Sequence, residues 1–271
     1  MKQSGRVLLV LTLGLVAALW LASCTRSEAR PPDRPDVTCL TAPYQKATTE
    51  DELRIRALVD WLEQALAPYR SFRATLEQSA PEICLVADIF GAEGYLGVEE
   101  NKILLRRSLS DGMLRAVALH ELRHAWQVQS DACPSQDLSM DEYARVTLAL
   151  EADASAVSLA VAWDLKAKGS PLVWETLASW PTHVDLARAF ATEMADSNDP
   201  ARATARAFGQ WFASDWRQTK YRRAACSDYL DLEDRTHVLR QYGEAEPDYL
   251  DGICRMPDGR EYPCVEPEET P

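Results

Sequence analysis

The sequence predicts an α+β fold, mostly helical, in which a small antiparallel sheet precedes a helical majority. Three observations carry that expectation. Short apolar runs punctuated by glycines cluster between residues 82 and 105. From residue 110 onward, apolar residues recur at helical spacing. Capping residues and prolines then divide this second part into helix-sized lengths.

The chain starts with a basic stretch, Met1-Lys2-Gln3-Ser4-Gly5-Arg6, followed by the apolar run Val7 to Leu21. That run is too short to cross a bilayer comfortably, and residues 1–23 read as a secretory signal. Leu21-Ala22-Ser23-Cys24 resembles a bacterial lipobox, which implies that Cys24 is lipidated and becomes the first mature residue. The expectation is a protein held to the membrane by lipid on Cys24, in the bacterial cell envelope. By resemblance to lipoprotein sorting rules, Thr25 in place of aspartate points to the outer membrane, with the domain in the periplasm.

Removing Lys2 and Arg6 with the signal takes the formal charge from −13 to −15. So much negative charge argues against nucleic acid or an anionic membrane surface as a partner. Beyond Cys24 there are six cysteines, an even number that in an exported protein suggests up to three disulfides. Cys254 and Cys264 flank the turn Pro257-Asp258-Gly259, so a local bridge is expected there. No pair has the Cys-x-x-Cys spacing of a cysteine metal site.

In order along the mature chain, residues 24–47 are proline-rich and without apolar period, and read as a tether. Thr49-x-x-Glu52 is a capping-box pattern opening a helix that stops at Pro68, with Leu53, Ala57, Leu58, Trp61, Leu62 and Leu66 on its apolar stripe. Glu82 to Phe90 reads as a strand. Tyr95-Leu96-Gly97-Val98 and Lys102-Ile103-Leu104-Leu105 read as a hairpin around Glu99-Glu100-Asn101. Ser110 caps a helix through Gln129, and Ser139-x-x-Glu142 opens another through about Lys168. Pro200 suits the first turn of a helix running through Trp211 and Trp216, and a short helix is expected over about Ser227 to Tyr242. Residues 243–271 form a disulfide-containing loop and an acidic tail, disordered from Glu266.

Within the helix from Ser110 lies His120-Glu121-Leu122-Arg123-His124. Residues four apart stand nearly one above the other on a helix, so His120 and His124 offer two imidazoles to one point. A zinc ion bound that way needs a third protein ligand and keeps one position for water. Glu121, rotated by about 100° from His120, lies beside that point, where it can act as general base. In the next helix Glu151 interrupts an apolar, alanine-rich stretch, and a carboxylate buried there needs a cation or a metal.

His120-Glu121-x-x-His124, 26 intervening residues and then Glu151-x-x-Ala154 resemble the gluzincin pattern of metallopeptidases. The surrounding sequence is also similar to bacterial lipoproteins described as metallopeptidases, and the likeness is best over about 95–165. It implies a zincin-like core of two helices over 48–168, Zn2+ held by His120, His124 and Glu151, Glu121 as the catalytic base, and hydrolysis of peptide or protein substrates. A helical subdomain, 169–242, would follow. Metzincins carry a glycine three residues after the second histidine, with a further ligand three beyond, where this chain has Gln127 and Ser130. Many gluzincins place aspartate four residues after the ligand glutamate to orient a zinc histidine, and here Ser155 stands there. Asp153 is expected to face elsewhere, which leaves the support of the histidines unassigned. His183, His237, Tyr143 and Tyr221 are open as stabilisers of the oxyanion, none of them assigned. A second reading, a non-catalytic zinc-binding envelope lipoprotein serving as a binding module, also stays open. Glu121 argues against it, because a structural zinc needs no base.

Overall fold

Strand β2 (Glu82–Val86) is buried at every position after its first, which is how Ile-Cys-Leu-Val, with no polar alternation, is expected to sit in a sheet. The computed structural model describes residues 36–267 except 90, 238 and 240. In it, β2 pairs antiparallel with β1 (Val37–Leu40) and parallel with β4 (Lys102–Arg106). β3 (Gly94–Gly97) lies outside β4, giving the order β1-β2-β4-β3. The expected hairpin is present, with Gly94 opposite Leu105 and Gly97 opposite Lys102. The sheet is nonetheless mixed where the sequence suggested an antiparallel one. After β2 the chain bypasses the neighbouring slot, lays down β3 as the edge, and the hairpin returns β4 into the gap. Alternation of side chains fixes which face is buried, but not that order of strands.

The first strand corrects the expected tether: Val37-Thr-Cys-Leu40 is part of the sheet, bonded to β2 through the Cys39–Cys84 disulfide. The expected signal over 1–23 and the lipidation site Cys24 lie outside the described residues. The expected Cys254–Cys264 bridge forms, while Cys133 and Cys226 are free.

Helix α1 (Glu50–Leu66) opens on the reciprocal capping box, with Thr49 N donating to the Glu52 carboxylate and Glu52 N to Thr49 Oγ1. α2 (Arg70–Ser79) has no counterpart in the sequence reading; it buries Phe72, Thr75 and Leu76. α3 (Asp111–Gln129) and α4 (Met140–Ala167) fall where expected. α4 is long and apolar enough to cross a membrane by composition, but that stretch is largely buried inside the protein. It is the core helix, touching α3, α5 (Leu172–Ser179), α6 (Val184–Ser197), α7 (Pro200–Trp211) and α8 (Asp215–Thr236). The segments expected as core and helical subdomain thus share one hydrophobic interior.

The helix expected from Pro200 through Trp216 is two helices, because Ser214 Oγ accepts from Arg217 N and caps a new start. The helix that follows, α8, occupies most of the span assigned to a short one and ends at Thr236, with His237 in the left-handed region at φ 55°. α9 (Tyr249–Ile253) leads into the Cys254–Cys264 loop. Glu266, expected in a disordered tail, is held by Arg145 Nη1 at 2.6 Å.

Candidate metal centre

The start of α3 is fixed twice. Ser110 Oγ accepts from Met113 N, and Arg54 of α1 donates to the carbonyls of Arg107 and Leu109 just ahead of the helix. Leu119 and Leu122 are fully buried on either side of the His120 position, so the helix cannot rotate without exposing core. On α4, Ala149, Ala152 and Ala156 are fully buried, and small side chains there let α3 and α4 approach.

This framework brings His120, His124 and Glu151 together. The two Nε2 atoms are 3.0 Å apart, His120 Nε2 is 3.3 Å from Glu151 Oε2, and His124 Nε2 is 3.5 Å from Glu151 Oε1. Metal–ligand bonds near 2.05 Å at tetrahedral angles place donor atoms about 3.3 Å apart, so the triangle fits a small divalent metal such as zinc. Glu151 Oε2 is buried and has no hydrogen-bond partner, which is the condition of a ligand oxygen rather than of a structural carboxylate. Burial pushes the Glu151 carboxyl up, but His124 and His120 together pull it down further, so it is ionised beside two imidazoles. Among the described residues Cys39, Glu82 and Cys84 also cluster, but their two sulfurs are bonded to each other.

Glu121 is 6% exposed. Burial pushes its carboxyl up to about 7, against the pull of His124 and with the push of Glu151. β3 lies hard against it. A Cβ on Gly94 would collide with Val117 Cγ1 and come within 2.8 Å of Glu121 Oε1, so only glycine lets the edge strand approach the helix here.

The Putative metallopeptidase family (DUF6782) matches residues 28–264. The chain belongs to this family. No curated protein and no solved structure matches it.

For a metallopeptidase family, what surrounds the metal matters as much as what binds it, and here α8 forms a wall. Lys220 Nζ donates to Gly91 O at 2.8 Å, ahead of β3, and Arg235 Nη1 pairs with Glu99 at 3.1 Å, beyond it. These two contacts tie α8 to the turns on either side of β3. Burial raises the pKa of Tyr95 in β3, and Asp228 of α8 raises it further.

Two residues that sequence reasoning left unassigned feel the charges of the candidate ligand cluster. Burial raises the pKa of Tyr221 on α8, and Glu151 and Glu121 raise it further, so the phenol stays protonated. Burial, with His120 and Arg217, lowers that of His183 to about 3. The His183 ring is stacked on Trp180 with centroids 4.2 Å apart. By contrast His237 is exposed, and Tyr143 packs edge-on against Tyr229.

Proposed function

We propose that the protein is a zinc-dependent metallopeptidase of the gluzincin type, hydrolysing peptide bonds in peptide or protein substrates at the bacterial cell envelope. The observation that carries this reading is the convergence of His120, His124 and Glu151 with the buried carboxyl of Glu121 beside them. When bound, zinc supplies Lewis-acid chemistry, making water a nucleophile near neutral pH and polarising a carbonyl. The Glu121 carboxylate takes the proton from the attacking water and delivers it to the leaving amine nitrogen. A carboxylate held beside the water by burial and packing can accept the proton and return it in turn. Tyr221, a protonated phenol whose pKa both carboxylates raise, is the candidate donor to the developing oxyanion, with neutral His183 as the second.

The outer edge of β3, which no other strand covers among the described residues, supports an extended polypeptide as substrate. Lipid on Cys24 would anchor the enzyme, facing the periplasm. Glu121→Gln is expected to abolish cleavage of a peptide library while retaining near-stoichiometric zinc by elemental analysis, whereas Glu151→Ala loses the metal. Purified protein without zinc, or full activity in Glu121→Gln, would sink the reading. Mass spectrometry of the amino-terminal peptide, with Cys24→Ser as control, checks the anchor.

A further inference from the structure

His124 binds through Nε2 only if its other ring nitrogen, Nδ1, carries the proton. His124 Nδ1 lies 2.8 Å from Gln127 Oε1. An amide can present either its oxygen or its NH2 to a ring nitrogen, so the remaining contacts of Gln127 decide which. Gln127 Nε2 donates to Leu150 O at 3.0 Å and to Asp153 Oδ2 at 2.7 Å. Both are acceptors only. Flipping the amide would set its oxygen against a carbonyl and a carboxylate, and its NH2 against a ring N–H. The oxygen therefore faces His124, Nδ1 bears the hydrogen, and the Nε2 lone pair points at Glu151 and His120. Gln127 is 1% exposed, so these bonds are shielded from bulk solvent.

Asp153, fully buried, is held as firmly. Arg123 Nε donates to Oδ2 at 2.7 Å and Arg123 Nη2 to Oδ1 at 2.9 Å, neutralising the charge in bidentate fashion. Tyr262 OH donates to Oδ1 at 2.6 Å. Arg123 Nη2 also reaches the carbonyls of Ile253 and Arg255, at 2.7 and 2.8 Å. Ile253 precedes Cys254, while Arg255 and Tyr262 sit inside the loop that the Cys254–Cys264 disulfide closes. A continuous set of buried bonds thus runs from the carboxy-terminal loop, through Arg123 and Asp153, to Gln127 and His124.

We propose that Gln127, fixed by Asp153, is the positioning residue that sets the tautomer and orientation of His124 as a metal ligand, and that the Cys254–Cys264 loop is part of the support. The proposal rests on the metal site proposed above. Partners of metal-bound histidines typically contribute 10–100-fold to affinity.

The test measures zinc affinity directly, by competition with a chromophoric chelator, and needs no turnover. Gln127→Leu keeps the volume and removes the acceptor; it is expected to weaken zinc binding about 10–100-fold while circular dichroism stays unchanged. Tyr262→Phe, which deletes one donor to Asp153 and keeps the ring, should weaken it several-fold, and so should Cys254→Ser with Cys264→Ser. Nitrogen NMR of the His124 ring should show Nδ1–H in the wild type and a mixture of tautomers in Gln127→Leu. Wild-type affinity together with a wild-type ring signature in Gln127→Leu overturns the proposal. His124→Ala separates the two readings: if it too binds zinc normally, the metal site itself is misplaced, whereas if it alone loses zinc, only the positioning role fails.

Discussion

The Nε2 atoms of His120 and His124 stand 3.0 Å apart, with the Glu151 carboxylate closing the triangle. A metal at the centre of the triangle gives both ring nitrogens and the carboxylate a common partner. Removing metal should therefore cost stability. At zinc concentrations 100-fold above Kd, binding stabilises the folded state by about 2.7 kcal/mol, and a domain of this size gains about 5–10 °C in Tm. Calorimetry of chelator-stripped protein with and without added zinc checks this. Glu151→Ala should show little zinc-dependent shift.

Gly94 and Glu121 make the second prediction. An added methyl must displace Val117 Cγ1 and the Glu121 side chain, because β3 is fixed to β4 by its ladder. Gly94→Ala is expected to destabilise the fold by about 1–3 kcal/mol, the usual range for overpacking. It should also lower kcat more than it changes zinc content, since Glu121 moves while the ligands do not. Denaturant titration, peptide turnover and elemental analysis on one preparation test all three parts. A large loss of zinc would show that the strand supports the ligands instead.

What the sequence displayed was local chemistry. The capping box at Thr49, the cap at Ser110, the His120–His124 spacing and the anomaly of Glu151 in an apolar stretch are each legible within one helical element. Contacts that depend on how elements meet were hidden. The residue that argued against the metzincin pattern, Gln127, proves to hold His124, and Asp153 reaches the same histidine through it rather than directly. Nothing in the spacing shows this, because it requires α3 and α4 to be placed first. The parallel pairing of β2 with β4 and the wall formed by α8 were hidden for the same reason. α8 buries only Arg217, Ala225 and Tyr229, too few to print a clear apolar stripe.

Access past α8 should be adjustable from the surface. Arg235 and Glu99 are mostly exposed, so their pair adds little to stability and is weakened by salt. Lys220, by contrast, both reaches Gly91 O and lowers the pKa of Glu151. Replacing Arg235 and Lys220 by alanine together should leave Tm nearly unchanged but speed extraction of zinc by a small chelator several-fold. In the wild type the same rate should rise with salt. Stopped-flow chelation reads both, and an unchanged rate in the double variant would show that α8 does not gate the site.

His183 gives the fold a defined response to acid. Its pKa in the folded protein is about 3, mainly through burial, while the free side chain titrates near 6.5. The unfolded chain therefore binds the proton first, and stability is complete above about pH 6.5 and falls as pH drops toward the folded value. At pH 5 the loss from this one group is about 2 kcal/mol. The ring also rests on Trp180, so removing it costs packing at every pH, and only the slope isolates the charge. In metal-free protein, where ligand release cannot contribute, His183→Gln should be less stable than wild type at pH 8 yet lose less between pH 7 and pH 5. Parallel slopes for the two proteins in urea denaturation would show that His183 is protonated in the folded state.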